Sequence, residues 1–181
     1  MLQLEGGGGG GGRIAILVTE FYDFRGQHTA YGGKGGREFG GSGTIYVEAP
    51  NKTAHLFIDN QGYKPTSDHI INPDQDSCRT YIVNDPEMQI NSLHFDDVTI
   101  RGGGHLSVRD TTVHNVPIDI GTLHGDMTGF LHVLKGPLVN VWKSSSPFPA
   151  AFRVYTDAVM SLPNGTFFFI TFTHKYVFTP N

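Results

Sequence analysis

The chain has 181 residues, with 13 Lys+Arg against 17 Asp+Glu, a formal net charge of −4, and charged residues at only 17%. That length suits one domain with a real core, and the lack of any Lys/Arg cluster excludes the basic footprint that nucleic-acid binding needs. No apolar run approaches the ~18 residues of a membrane-spanning helix.

Met1 to Glu5 has neither the basic nor the apolar part of a secretory signal. The chain opens close to a glycine run and ends at Thr179-Pro180-Asn181 without a cap, so it reads as a fragment of a larger protein. Residues 1–181 form a single region in this reading. Twenty-four glycines accompany thirteen Phe and seven Tyr, a composition with enough apolar surface to fold and with many tight backbone positions.

From the N-terminus, glycine clusters alternate with short apolar words. Gly6 to Gly12 precedes Arg13 to Thr19, and Gly32-Gly33-Lys34-Gly35-Gly36 follows the strand-like His28 to Tyr31. Gly40-Gly41-Ser42-Gly43 then precedes Thr44 to Glu48, and His55 to Asp59 ends in the turn Asn60-Gln61-Gly62. Glycine supplies positive φ and close backbone approach, so these clusters are expected to be corners between short strands. Gly41 and Gly43 are expected at corners where a β-carbon would be strained. The glycine run contains G-x-G-x-x-G but precedes its strand, the reverse of a dinucleotide fingerprint, and Gly33-Lys34-Gly35 lacks the ending of a phosphate loop.

Residues 63–79 are rich in Pro, Asp, Asn and Ser and read as a loop excursion. Tyr63, Lys64, Asp68, His69, Asn72, Asp74, Asp76 and Arg79 combine an aromatic surface with hydrogen-bonding groups, and form the candidate ligand-binding set, suited to sugars. Asp68, Asn72, Asp74 and Asp76 offer oxygen ligands for Ca²⁺, but no D-x-D-x-D-G loop supports a calcium site, and no cofactor is expected. Cys78 is the single cysteine, which excludes an internal disulfide and lies in no nucleophile signature.

After Thr80 come alternating words of three or four residues: Leu93 to Phe95, Val98 to Ile100, Leu106 to Val108, Ile118 to Ile120, Leu131 to Val133 and Leu138 to Val141. Asp96-Asp97, Gly102 to Gly104, Asp110 to Thr112, Gly125-Asp126 and Gly136-Pro137 separate them as turns. The pairs Leu106/Phe130, Ile100/His124 and Val108/His132 recur at a spacing of 24. Short words at such a period predict an all-β parallel β-helix, with a β-sandwich as the alternative. Leu93, Phe95, Val98, Ile100, Leu106, Val108, Ile118, Ile120, Leu131, Val133, Val139 and Val141 are its expected core. Pro149 to Met160 fits a short helix or a strand equally, and Phe167 to Phe172 reads as a strand.

Chemistry-bearing residues gather in His94, Asp96, Asp97, His105, His114, Asp119, His124, Asp126 and His132. Stacking brings several of these close, yet no tight metal-ligand spacing is present, and alternate positions of half-exposed strands must be polar in any case. Neither a catalytic nor a metal site is assigned. Asp96 and Asp97 point to opposite faces of a strand, so they read as a corner rather than a glycosidase carboxylate pair.

The order of words from Gly6 to Gly62 resembles the glycine-rich repeats of large exported or surface-anchored adhesin-like proteins. The resemblance covers the first third of the chain and carries no catalytic motif. It implies a right-handed parallel β-helix, an extracellular or cell-surface location, and glycans or other surface proteins as partners. The sequons Asn51-Lys52-Thr53 and Asn164-Gly165-Thr166 are compatible with export. The expected function is structural or adhesive, without catalysis. The alternative is a polysaccharide lyase, glycosidase or carbohydrate-binding module on the same scaffold.

Overall fold

A computed structural model describes residues 6–20, 26–36, 39–63, 80–84, 92–110, 117–133, 138–145, 150–154 and 159–161. These residues hold eleven strands and no helix: β1 Arg13–Leu17, β2 Thr44–Glu48, β3 Ala54–Asp59, β4 Thr80–Asn84, β5 Leu93–Arg101, β6 His105–Asp110, β7 Ile118–Gly125, β8 Gly129–Val133, β9 Leu138–Ser144, β10 Ala150–Val154 and β11 Val159–Ser161. One sheet has seven strands in the order β1-β2-β3-β5-β7-β9-β11, and a second has four in the order β10-β8-β6-β4. Every described pairing between named strands is parallel except β2 with β3. The fold is all-β and mostly parallel.

The core lies between the two sheets. Leu56, Ile58, Val98, Ile100, Leu123, Val139 and Val141 come from the larger sheet, and Leu106, Val108, Leu131 and Val133 from the smaller. Ten of the twelve residues expected in the core are buried, and Leu93 and Phe95 pack against them half-buried. Each fully buried branched side chain of this kind stabilises by roughly 1.5–3 kcal/mol.

Register corrects the spacing read from sequence. Leu106 faces Leu131 and Val108 faces Val133, 25 residues on, while His132 lies beside Ser107 and Phe130 beside His105. A slip of one residue sends every side chain to the opposite face, so the offset of 24 had matched apolar residues to histidines. At 25, apolar side chains stack on apolar ones.

The Asp96-Asp97 corner also needs correction, because Leu93–Arg101 is one continuous strand. The inward positions nonetheless step by three there, from Phe95 to Val98, and again in β7 from Ile120 to Leu123. Asp97 pairs with Thr122, so the two bends lie in register. Leu93 to Phe95 and Val98 to Ile100 thus behave as two words, joined by a bend at which the pairing of β5 with β7 skips Asp96 and Gly121. The Pro149 to Met160 stretch resolves as strand in β10 and β11, and Phe167 to Phe172 lies outside the described residues.

Turns stack as well. Gln61 (φ 52°) and Gly62 (φ 83°) follow β3, Gly102 (φ 59°) and Gly103 (φ 74°) follow β5, and Met127 (φ 70°) follows β7. Gly62 N–H donates to the Gly102 carbonyl, Gly102 N–H to Asp126 Oδ2 at 2.9 Å, and Gly103 N–H to Thr128 Oγ1 at 2.8 Å. Left-handed residues recur here because the chain must reverse tightly at the same level in each layer.

The N-terminal glycines are not the corners expected, and His28 to Tyr31 is not a strand. Residues 6–12, 30–36 and 40–44 run as three threads bonded to one another. Gly36 and Gly33 N–H donate to the carbonyls of Gly6 and Gly9, Gly40 and Gly43 N–H to those of Gly33 and Ala30, and Gly11 N–H to that of Gly41. The bonds recur every third residue, the period of a polyproline-II helix rather than the two of a strand. Three-residue turns put one side of each thread against a neighbour, and at Gly8, Gly11, Gly32, Gly40 and Gly43 a β-carbon would run into the backbone of that neighbour. Positive φ is not the reason: among the described glycines it occurs only at Gly62, Gly102 and Gly103. Threads 6–12 and 40–44 lead directly into β1 and β2, which pair in parallel.

Candidate functional site

Alternation along β3, β5 and β7 sends Leu56, Ile58, Val98, Ile100 and Leu123 inward. His55, Phe57 and Asp59, then Asp97, Thr99 and Arg101, then Thr122 and His124, therefore share the outer face of the larger sheet. Parallel register sorts them into rows. His55, Asp97, Thr122 and Lys143 make one; Phe57, Thr99 and His124 the next; Asp59 and Arg101 a third.

Across these rows lies an open groove of about 460 Å³, lined by His55, Phe57, Asp97, Thr99, Arg101, His124, Gly125, Asp126 and Ser145. Asp97 bridges two histidines in the groove: His55 Nδ1 lies 3.0 Å from Asp97 Oδ2, and His124 Nε2 lies 2.9 Å from Asp97 Oδ1. In each neutral imidazole the nitrogen facing the carboxylate carries the proton, which leaves His55 Nε2 and His124 Nδ1 as acceptors. Arg101 Nε donates to Asp59 Oδ2 at 2.8 Å, while Asp59 Oδ1 accepts from the Gln61 N–H at 2.7 Å.

Asp126 closes one end. Burial works to raise its pKa, but donation from the Thr128 hydroxyl and from the N–H groups of Gly102 and Thr128 outweighs it, and the group is held below its ordinary 3.8. Asp96, beside the groove residue Asp97, is lowered chiefly by the Ala54 N–H, 2.6 Å from its Oδ2, with His94 adding to the effect. Folded-state values below the unfolded one mean stability that is present above about pH 4 and lost as pH falls through the folded values. Thermal melts from pH 7 to pH 2 should therefore show an acid limb beginning near pH 4. In Asp126→Asn that limb should be shallower, with a loss at pH 7 of about 1 kcal/mol or less once solvent screening is counted.

Of the candidate ligand set, only Tyr63 falls within the described residues, where its ring stacks on Phe39 at 4.7 Å. Lys64, Asp68, His69, Asn72, Asp74, Asp76 and Arg79 lie outside them, as does Cys78. Beyond Asp97, His124 and Asp126 of the groove, the described members of the His/Asp grouping fall into separate contacts. His94 approaches Asp96 at 3.6 Å, His105 Nδ1 lies 3.1 Å from His132 Nε2, and Asn140 Nδ2 donates to Asp119. His114 lies outside the described residues. Among the described residues no group of three or more His, Cys, Asp or Glu has metal-holding geometry, and no helix is long and apolar enough to cross a membrane.

Of the groove members, sequence reading did not single out Ser145, which follows β9, nor the strand residues His55, Phe57, Thr99 and Arg101. The signal of those strand residues was outward parity in β3 and β5, which becomes a site only once Asp97 is known to face His55 across 42 residues of sequence. No protein-family model, curated protein or solved structure matches the chain.

Proposed function

We propose that this chain is a right-handed parallel β-helix segment that gives an exported, surface-anchored protein a structural and adhesive scaffold. The observation that carries this reading is the alternation of strands. From β3 to β11 successive strands fall in turn in the larger and the smaller sheet, and each sheet neighbour along that stretch is parallel. A chain that crosses between two sheets at every step winds into a coil, and parallel crossovers are right-handed in about 98% of cases. Layers that bury their faces only against neighbouring layers make an extended stack, suited to displaying a long flank. The glycine-rich words that resemble adhesin-like repeats form the threads leading into that stack.

Beads coated with the chain, washed over cell surfaces and polysaccharide films under flow, test the reading. Retention well above albumin-coated beads, with no release of reducing sugar or unsaturated uronate into the wash, is the expected result. Sugar release would move the function to a lyase or glycosidase, and retention no better than albumin would remove adhesion.

A further inference from the structure

We propose that the groove over β3, β5 and β7 is a binding site for neutral sugar units of a glycan. This deepens, and rests on, the adhesive reading above. The argument turns on which polar atoms are already used. Each carboxylate oxygen of Asp97, Asp59 and Asp126 already has a partner within the fold: His55 and His124 for Asp97, Arg101 and Gln61 for Asp59, and Thr128 and Gly102 for Asp126. The groove carboxylates Asp97 and Asp126 therefore brace the surrounding side chains and turns, and their remaining lone pairs can accept only from donors such as hydroxyl groups.

What remains for a ligand is a mixed set. As neutral rings His55 and His124 present Nε2 and Nδ1 as acceptors, the terminal guanidinium nitrogens of Arg101 donate, and the hydroxyls of Thr99 and Ser145 do either. The carboxylates of Asp97 and Asp126, with Asp59 paired to Arg101 beside them, disfavour a carboxylate or phosphate ligand, which brings only acceptors and negative charge. They suit hydroxyl groups, each of which donates and accepts. Phe57 sits in the same row as Thr99 and His124, is 37% exposed, and offers an apolar ring face for the C–H side of a sugar. The Asp97 bridge fixes both imidazoles without ligand, so little ordering remains to be done on binding. The volume of about 460 Å³ lies within the range of small-ligand sites.

The purified chain is titrated by calorimetry with cellohexaose, xylohexaose, mannohexaose, maltohexaose and laminarihexaose, with hexagalacturonate as the anionic comparison. At least one neutral hexasaccharide should bind with Kd of about 0.1–1 mM. Hexagalacturonate should bind at least ten-fold more weakly. Phe57→Ala should weaken the neutral ligand roughly five- to ten-fold, and Thr99→Val, which removes only a hydroxyl, at least about three-fold. Both are substitutions on an outer sheet face, and circular dichroism melts within about 3 °C of the parent show that the fold is kept.

Absence of neutral binding at about 5 mM, tighter binding of hexagalacturonate, or affinity unchanged in Phe57→Ala and Thr99→Val each overturns the site. The bead assay run beside it separates the two readings. Retention without oligosaccharide binding sinks the groove and leaves the adhesive scaffold, whereas loss of both sinks both.

Discussion

Asn60→Leu is expected to destabilise the chain by about 2–4 kcal/mol and to release the glycine threads before the sheets. Asn60 is 1% exposed at the end of β3, and its side chain is used three times. Oδ1 accepts from the Gly32 N–H at 2.9 Å, and Nδ2 donates to the carbonyls of Gly40 at 3.2 Å and Tyr63 at 2.6 Å. One amide thus ties two threads to the turn that follows β3. Leucine of similar size fills the space but leaves an N–H and two carbonyls without that partner, and the loss is set by desolvated groups rather than by volume. Urea denaturation measures the total. Amide exchange locates it, with Gly32, Gly33 and Gly43 losing protection before the core strands. Asn51→Ala is the comparison: that side chain is exposed and bonds only the neighbouring Thr53, so its effect should stay within about 0.5 kcal/mol.

How far the fold could be read from sequence follows from the range of the interactions involved. Local alternation and turn chemistry place Thr44 to Glu48, His55 to Asp59 and Ile118 to Ile120 in strands, and the turns at Asn60-Gln61-Gly62 and Gly102-Gly103 carry residues with positive φ. Register is not local. An offset of 24 in place of 25 is invisible within any one word, and it decides whether Val108 meets His132 or Val133. The groove was hidden for the same reason, since His55 and Asp97 are neighbours only through the pairing of β3 with β5, with the 63–79 excursion between them. Polarity alone drew attention to that excursion. The outer-face histidines were legible only as polar partners in an alternating strand, until stacking put a carboxylate between them.

The glycine clusters show the opposite failure, in which a local rule was applied at the wrong period. Glycine was read as punctuation between strands, yet in residues 6–12, 30–36 and 40–44 it is the packing residue of the element itself. The two readings make different predictions for alanine scanning of Gly7 to Gly12. Corners would make sensitivity follow positive φ, and a strand would give a period of two. Threads give a period of three. A β-carbon at Gly8 would fall 2.7 Å from the Gly40 nitrogen, and one at Gly11 would fall 2.9 Å from the Ala30 carbonyl carbon, whereas at Gly7, Gly9, Gly10 and Gly12 it meets nothing within 4 Å.

At Gly43 the added carbon would press on the Gly12 carbonyl and lie 2.7 Å from the carbonyl carbon of Gly11. All of these obstacles are backbone, which cannot rotate away as a side chain would, so the threads must part and give up their cross-bonds. Gly43→Ala and Gly11→Ala are therefore expected to cost about 3 kcal/mol or more. Gly10→Ala should be neutral or stabilise by up to about 0.5 kcal/mol, through loss of unfolded-state freedom. Urea midpoints for Gly7→Ala to Gly12→Ala decide between the readings. Losses at Gly8 and Gly11 alone support the threads, and equal losses at Gly9 and Gly10 would return the run to the corners first read there.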